Sequence, residues 1–330
     1  MNVLYASDDN YAEIMGTSIV SLLENNKDAD NIRIYIVQDQ ISDENQHKIK
    51  DIITSYKREV IFIDKPDIRG MLCVELKTLR WSDSAFSRLF LKKIFGEKAA
   101  IDRILYLDCD VMVVSSLKEL YETDINNWLG AACLECMGDF HKRVIGRNPN
   151  NNYVNSGVLL VNVKKWIEED VDTIESNFIK MYEGNIEYVD QGVINGTISD
   201  EFRLVGPQYN LTSMAFDMSY EEMQIYRKPS FGYSKEEWEY ALRHPAIIHF
   251  TTSFLSIRPW YKGSDHPYAM QWMEYHKKTL WESPGYRVLK NAKKQEQKRK
   301  LFNLFPRKIG IFIAGILHCY IKPLNYTRIR

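Results

Sequence analysis

Strand-like and helix-like patterns alternate through residues 1–63 of the chain. Residues 3–6 form a short apolar run that ends in polar residues, and residues 12–23 have helical spacing, with Ile14, Ser18, Ser21 and Leu22 near one another. Residues 32–37 alternate and are β-branched, residues 42–56 follow as a helix, and residues 60–63 are a third strand. Ser42 is a good N-cap, and Asn45 stands where a capping box would place Glu. Parallel strands need crossovers, and helices supply them. The order β-α-β-α-β therefore predicts an α/β fold with a mostly parallel sheet and helices on both faces.

The pattern continues beyond this unit. Residues 84–95 read as a helix, and residues 101–107 as a strand that runs into Asp108-Cys109-Asp110 and then residues 111–114. An apolar strand, residues 158–161, lies within residues 153–163. A helix is expected over residues 188–198, with Asp190 near its start, and a last short strand over residues 246–250. At 330 residues, 45% of them hydrophobic and 26% charged, the chain can bury a sizeable core. One domain is expected over residues 1–285, followed by a tail over residues 286–330.

Five segments carry chemistry. Asp108 and Asp110 follow an apolar strand, and in open α/β sheets ligands gather beyond the carboxyl ends of strands. Two carboxylates one residue apart point to the same side of an extended chain, where they repel unless a cation lies between them. Oxygen ligands suit Mg²⁺ or Mn²⁺, which can bridge to a diphosphate. The plain alternative is a turn with solvated carboxylates. Ala6-Ser7-Asp8-Asp9-Asn10-Tyr11 ends the first strand; small residues admit a flat base, and Asp and Asn can accept from uracil or ribose, although an Asx-rich turn capping a helix reads the same way. Asn155-Ser156-Gly157 pairs an amide with a glycine that allows close backbone approach. Asp190-Gln191 offers a carboxylate and an amide, or simple N-capping. His249 at a strand end can complete a mixed oxygen and nitrogen metal site, or serve as a hydrogen-bonded core residue.

Net charge is −1, but residues 287–330 hold 12 Lys/Arg against the single acid Glu296. An acidic body with a basic tail predicts contact with an anionic surface rather than with nucleic acid. Residues 309–321 are mostly apolar, and 13 residues at about 1.5 Å each give ~20 Å, short of the ~30 Å hydrocarbon core. A basic amphipathic helix lying on the membrane is expected, with a helix packed on the domain as the alternative. Five cysteines without a framework indicate a reducing compartment, and Cys133 and Cys136 read as incidental buried thiols. Asn2-Val3-Leu4-Tyr5 runs straight into Asp8 and Asp9 with no cleavable apolar segment, so secretion is not expected.

In their joint order these segments resemble glycosyltransferase family 8, the retaining UDP-sugar transferases. The resemblance covers about residues 1–285. It rests on Tyr5–Tyr11, Ser87-Arg88-Leu89, Leu105–Val111, Asn155–Leu160, Asp190-Gln191, and His249-Phe250 with Pro259-Trp260. It implies a single GT-A type domain and a hexose, glucose or galactose, moved from a UDP-sugar onto a saccharide, glycolipid or glycoprotein. Carried over residue by residue, it implies that Asp108, Asp110 and His249 hold the divalent ion, usually Mn²⁺. Ala6, Ser7, Asp8 and Asn10 bind uridine. Arg88 meets the donor sugar and diphosphate, and Asn155, Ser156, Asp190 and Gln191 line the sugar, Gln191 below the anomeric carbon. The family's Lys before Pro-Trp is Arg258 here, in a longer segment without its Gly; the charge that would face the diphosphate is kept. Relatives with such tails attach to the inner face of bacterial membranes, so a cytoplasmic, peripheral location is expected. Two other readings use the same residues: a nucleotidyltransferase, though no Gly- and Lys/Arg-rich loop lies near residue 10, and a non-catalytic surface-binding protein. Because all of these site residues precede Trp260, the tail is expected to be separable from the chemistry.

Overall fold

A computed structural model describes residues 1–77, 83–96, 100–282, 287, 289 and 292–326. Its main sheet is built from β1 (Asn2–Asp8), β2 (Arg33–Asp39), β3 (Glu59–Asp64), β4 (Arg103–Leu107), β6 (Gly130–Leu134), β7 (Val154–Asn162) and β8 (Phe202–Val205). The order is β3-β2-β1-β4-β7-β6-β8. β3, β2, β1 and β4 are parallel, and β7 runs antiparallel to both β4 and β6. A second sheet has the order β5-β10-β9, from β5 (Val111–Val113), β9 (Leu211–Thr212) and β10 (Ile247–His249).

Alternate residues of each strand enter opposite cores, as the pleat requires. Val3, Tyr5, Leu105 and Leu107 pack with Met15, Ile19 and Leu22 of the helix Ala12–Asn25 on one face. Leu4, Ile104 and Tyr106 pack with Phe90, Trp166 and Val193 on the other. The α/β architecture, with helices on both faces, is therefore the one expected.

Topology brings the expected site together. β1 and β4 both end at one edge, and the antiparallel β7 begins there, with Leu107 opposite Val158. Asn155, Ser156 and Gly157 thus lie beside Asp108, whose backbone N–H donates to Gly157 O at 2.8 Å. β10 pairs with β5 so that His249 stands opposite Val111, and Phe250 N donates to Asp110 O at 2.9 Å.

Some elements differ from expectation. The helix expected over residues 84–95 is a 3-10 turn, Asp83–Leu89, and a short helix, Leu91–Phe95, broken at Phe90. Phe86, Leu89 and Phe90 are buried and Arg88 is anchored across the sheet, so tertiary contacts override helical spacing. The helix expected from residue 188 begins at Asp190. β6, β8 and β9 have no clear strand signal. Gly130 sits in β6 because a Cβ there would lie 2.2 Å from Leu160 O.

The expected boundary near residue 285 lies outside the described residues. The tail forms the helix Ala292–Asn303 and then a helical stretch, Arg307–Tyr326, of 20 residues. That stretch is longer than the 13 apolar residues read from sequence, and by length and composition it could cross a membrane. One face docks on the domain: Gly310, Ile311, Gly315 and Cys319 are buried, and a Cβ on Gly315 would meet Ile225 O at 2.8 Å. Its other side exposes Ile309, Phe312, Leu317, Tyr320 and Ile321.

Candidate active site

Asp108, Asp110 and His249 converge so that one ligand atom from each lies within 4.8 Å of the others. His249 Nε2 is 3.3 Å from Asp110 Oδ1 and 3.7 Å from Asp108 Oδ2. Gly157 makes the room: a Cβ there would sit 2.3 Å from His249 Cε1 and 2.7 Å from Asp108 Oδ2.

A chain of hydrogen bonds sets the His249 tautomer. Asn155 Nδ2 donates to the Glu135 carboxylate at 2.7 Å, and Asn155 Oδ1 accepts from Gly157 N at 2.9 Å. Both partners are unambiguous, so the Asn155 amide has one orientation. Its oxygen also accepts from Asn210 Nδ2, which turns Asn210 Oδ1 toward His249 Nδ1 at 2.9 Å. Nδ1 therefore carries a proton, and Nε2 faces the two carboxylates, where it donates to Asp110 as an imidazolium or offers its lone pair to a cation between them. Metal-binding histidines are characteristically held this way through the other ring nitrogen. Two carboxylates and a neutral imidazole suit a divalent cation such as Mn²⁺ or Mg²⁺.

The carboxylates have different supports. Arg88 Nη2 donates to Asp108 Oδ1 at 2.6 Å, and Tyr106 OH donates to the same oxygen at 3.0 Å. Arg88 Nη1 reaches Ser156 O at 2.7 Å, and Nε lies 3.0 Å from Ala85 O and 3.2 Å from Asp190 Oδ2. The guanidinium also lies over the Tyr106 ring, 4.2 Å from its centre. Burial disfavours its charge, but Asp108 and Asp190 outweigh burial and raise its pKa. Asp110 is paired with Arg258 Nη2 at 3.1 Å, and Arg258 Nη1 donates to Tyr11 OH at 3.2 Å. Burial opposes ionisation of Asp110, yet Arg258 and His249 hold its carboxyl down to about 2. On His249, burial is likewise outweighed by the hydrogen bond and charge of Asp110, and the imidazole pKa is raised.

On the far side of β7, Ser156 Oγ donates to Asp190 Oδ2 at 2.8 Å, and Ser156 N donates to Gln191 Oε1 at 3.2 Å. Burial pushes the Asp190 carboxyl up, opposed by Arg88. The backbone leading into this pair is strained: Tyr188 has φ 60° and Val189 φ 55°. A β-branched residue at positive φ costs roughly 1–3 kcal/mol, and such strain gathers at functional sites.

At the end of β1, Asp8 caps the following turn through Tyr11 N at 3.1 Å, and Ser7 Oγ donates to Asp8 O at 2.9 Å. Cys109 Sγ donates to Ala6 O at 3.2 Å, tying this mouth to the Asp108 turn. Asn10 is exposed, and its carbonyl accepts from Arg287 at 2.7 Å.

The glycosyl transferase family 8 model matches residues 2–262. The chain belongs to glycosyl transferase family 8. This transferase is 29% identical over 225 residues to a putative glycosyltransferase of Haemophilus influenzae, spanning 66% of the chain and 65% of that relative's length. It is 25% identical over 335 residues to a lipopolysaccharide 1,2-glucosyltransferase of Escherichia coli K12, spanning 99% of the chain and 92% of the relative. Among solved structures it is similar to galactosyltransferase LgtC in complex with donor and acceptor sugar analogs, with TM-score 0.71, 22% identity, and coverage of 89% of this chain and 100% of the other. That likeness shows a shared fold, the GT-A type expected.

Contacts link Asp108, Asp110, His249, Arg258, Arg88, Ser156, Asp190 and Gln191 of the residues expected from sequence, Asn155 joins them through Asn210, and Ala6 through Cys109. Asp8 caps the turn after β1, and Asn10 lies exposed beyond it. Reading the sequence missed Asn210, Glu135 and Tyr106. Tyr106 was legible as a strand residue two before Asp108, so on the same side of the chain. Asn210 and Glu135 had no such signal: their partners are Asn155 and His249 in space, not neighbours in sequence.

Proposed function

We propose that this glycosyltransferase moves a hexose, glucose or galactose, from a UDP-sugar to a saccharide, glycolipid or glycoprotein acceptor with retention of configuration, using Mn²⁺ or Mg²⁺. The observation that carries the reading is the convergence of Asp108, Asp110 and a tautomer-fixed His249 beside Arg258. Those three side chains hold the cation, which when bound stabilises negative charge on the leaving diphosphate. Arg258 supplies a second positive group whose fork matches phosphate oxygens. Ala6, Ser7, Asp8 and Asn10 receive uridine at the mouth of β1, next to the carboxylate pair through the contact between Cys109 and Ala6.

On the sugar side, Asn155, Ser156, Asp190 and Gln191 position the hexose. Arg88 spends its nitrogens on Ala85, Ser156, Asp108 and Asp190, so it acts on the donor by locking both carboxylates in place. Asp190 is engaged by Arg88 and Ser156, and an amide such as Gln191 is a poor nucleophile. Same-face attack is therefore favoured, with the UDP oxygen taking the acceptor proton and Gln191 Oε1, oriented by Ser156 N, facing the cationic sugar. The tail's exposed apolar side and basic residues support a peripheral position on the inner face of the membrane, at an anionic surface.

A donor screen tests the reading. Released UDP from UDP-glucose or UDP-galactose, lost with chelator and regained with Mn²⁺, is expected. A chain that instead forms a sugar nucleotide from a nucleoside triphosphate overturns it.

A further inference from the structure

The tail does more than cover apolar surface. His318 and Lys322, both in the helical stretch after Arg307, reach the turn that precedes Asp190 and Gln191. Lys322 Nζ lies 3.5 Å from Glu187 Oε1 and 3.6 Å from the centre of the Tyr188 ring. Tyr188 OH is 3.0 Å from His318 Nε2. Glu187 is 2% exposed, and Tyr188 and Val189 hold the strained backbone from which Asp190 starts its helix.

The polar groups around His318 form a closed network. Arg227 Nη1 donates to His318 Nε2 at 3.1 Å, so the proton sits on Nδ1 and is donated to His141 Nε2 at 3.2 Å. The His141 Nδ1 proton then goes to Glu187 Oε2 at 2.8 Å. Both rings are neutral and oriented without a cation, although Cys319 Sγ is also close. A second arm leaves Arg227 through Glu135 Oε1 at 3.1 Å, and Glu135 Oε2 holds Asn155, which orients His249 by way of Asn210. His318 thus touches the turn before the Asp190-Gln191 pair through Tyr188 and reaches Glu135, at the head of the chain that orients His249, through Arg227.

We infer that the C-terminal helix is a positioning element of the transferase site: His318 and Lys322 hold Glu187 and Tyr188, and through them the backbone that presents Asp190 and Gln191. Such a role rests on the transferase reading above. It opposes the expectation that the tail is separable from the chemistry, and the activity of the tail variants decides between the two. A strained turn stays in place only where its surroundings over-determine it, and here the tail supplies part of those surroundings. The residues act through Gln191 and Asp190 and touch no substrate themselves.

The test uses the full chain with Mn²⁺ and UDP-glucose or UDP-galactose, following UDP release. Lys322→Ala and His318→Ala are expected to lower kcat roughly 10- to 100-fold, as a small misplacement of reacting groups does, with donor KM within about twofold of the unaltered chain. Lys322→Arg, which keeps the cation over Tyr188, recovers most of the rate. Tyr188→Phe also lowers kcat, and combining it with His318→Ala is no worse than the worse single change, because both remove one shared contact. Unaltered kcat in both alanine variants overturns the inference. So does a loss divided equally between kcat and donor affinity, with a lowered melting temperature and no recovery by Lys322→Arg, since that is the behaviour of packing alone. If the unaltered chain releases no UDP from either donor, the transferase reading falls and the tail's role with it; if it is active and the variants match it, only the tail's role falls.

Discussion

Asp108 and Asp110 stand one residue apart at the end of β4, and the protein holds them from opposite sides. Asp108 is bound into the main sheet: Arg88 and Tyr106 share one of its oxygens, and its backbone N–H reaches β7. The Arg88 beneath it is 5% exposed and also pairs with Asp190. Asp110 instead faces groups that come from later in the chain, His249 of β10 and Arg258. Asp108 is therefore linked through Arg88 to Asp190 and Ser156, whereas Asp110 is linked to His249 and Arg258. Two residues of identical chemistry in a two-residue spacing have different structural duties, and only their partners distinguish them.

Substitution should separate those duties. Asp110→Ala is expected to reduce UDP release roughly 10³-fold, without recovery by added Mn²⁺, while lowering unfolding free energy by only about 1 kcal/mol. Asp108→Ala should cost similar activity but about 3 kcal/mol of stability, because it leaves part of the Arg88 charge buried and uncompensated. UDP-release assays and urea melts on the two variants check the contrast. Equal stability losses would erase it.

A weaker pair of changes probes the shared corner without removing a carboxylate. Asn210→Ala frees His249 Nδ1, and Gly157→Ala pushes a Cβ against His249 and Asp108. Each is expected to weaken Mn²⁺ binding about 10- to 100-fold, read by calorimetric titration. Gly157→Ala should affect Asp108 as well, and so should lower melting temperature more than Asn210→Ala does.

The smallest effect concerns pH in chelator-treated protein. The Asp110 carboxyl is lowered from 3.8 to about 2, so its contribution is present above the unfolded value and is lost as pH falls through the folded one. His249 is raised above 6.5, so its contribution is present below that value and is lost as pH rises through its folded value. Urea melts should therefore show metal-free stability from this pair falling below about pH 4 and again above about pH 6.5. Asp110→Ala should flatten both limbs, because it removes one titrating group and the chief partner of the other.

The alternation of strands and helices, the small residues after β1, the carboxylate pair after β4, and the amide, carboxylate and imidazole at later element ends were all readable from the chain. Each is a local property: periodicity, β-branching, and the residue types at the edge where strands stop. Gly157 was readable as a close-approach position, but not as the space between His249 and Asp108. What only the tertiary structure decided are relations between residues far apart in sequence. Asn210 selects the His249 tautomer, Arg88 is consumed by two carboxylates, and the apolar stretch after Arg307 brings His318 and Lys322 to the turn before Asp190. Sequence pattern reports how each segment meets a core or solvent; it carries no information on which buried polar group finds which partner, because that pairing is made by the antiparallel placement of β7, the second sheet and the docking of the tail.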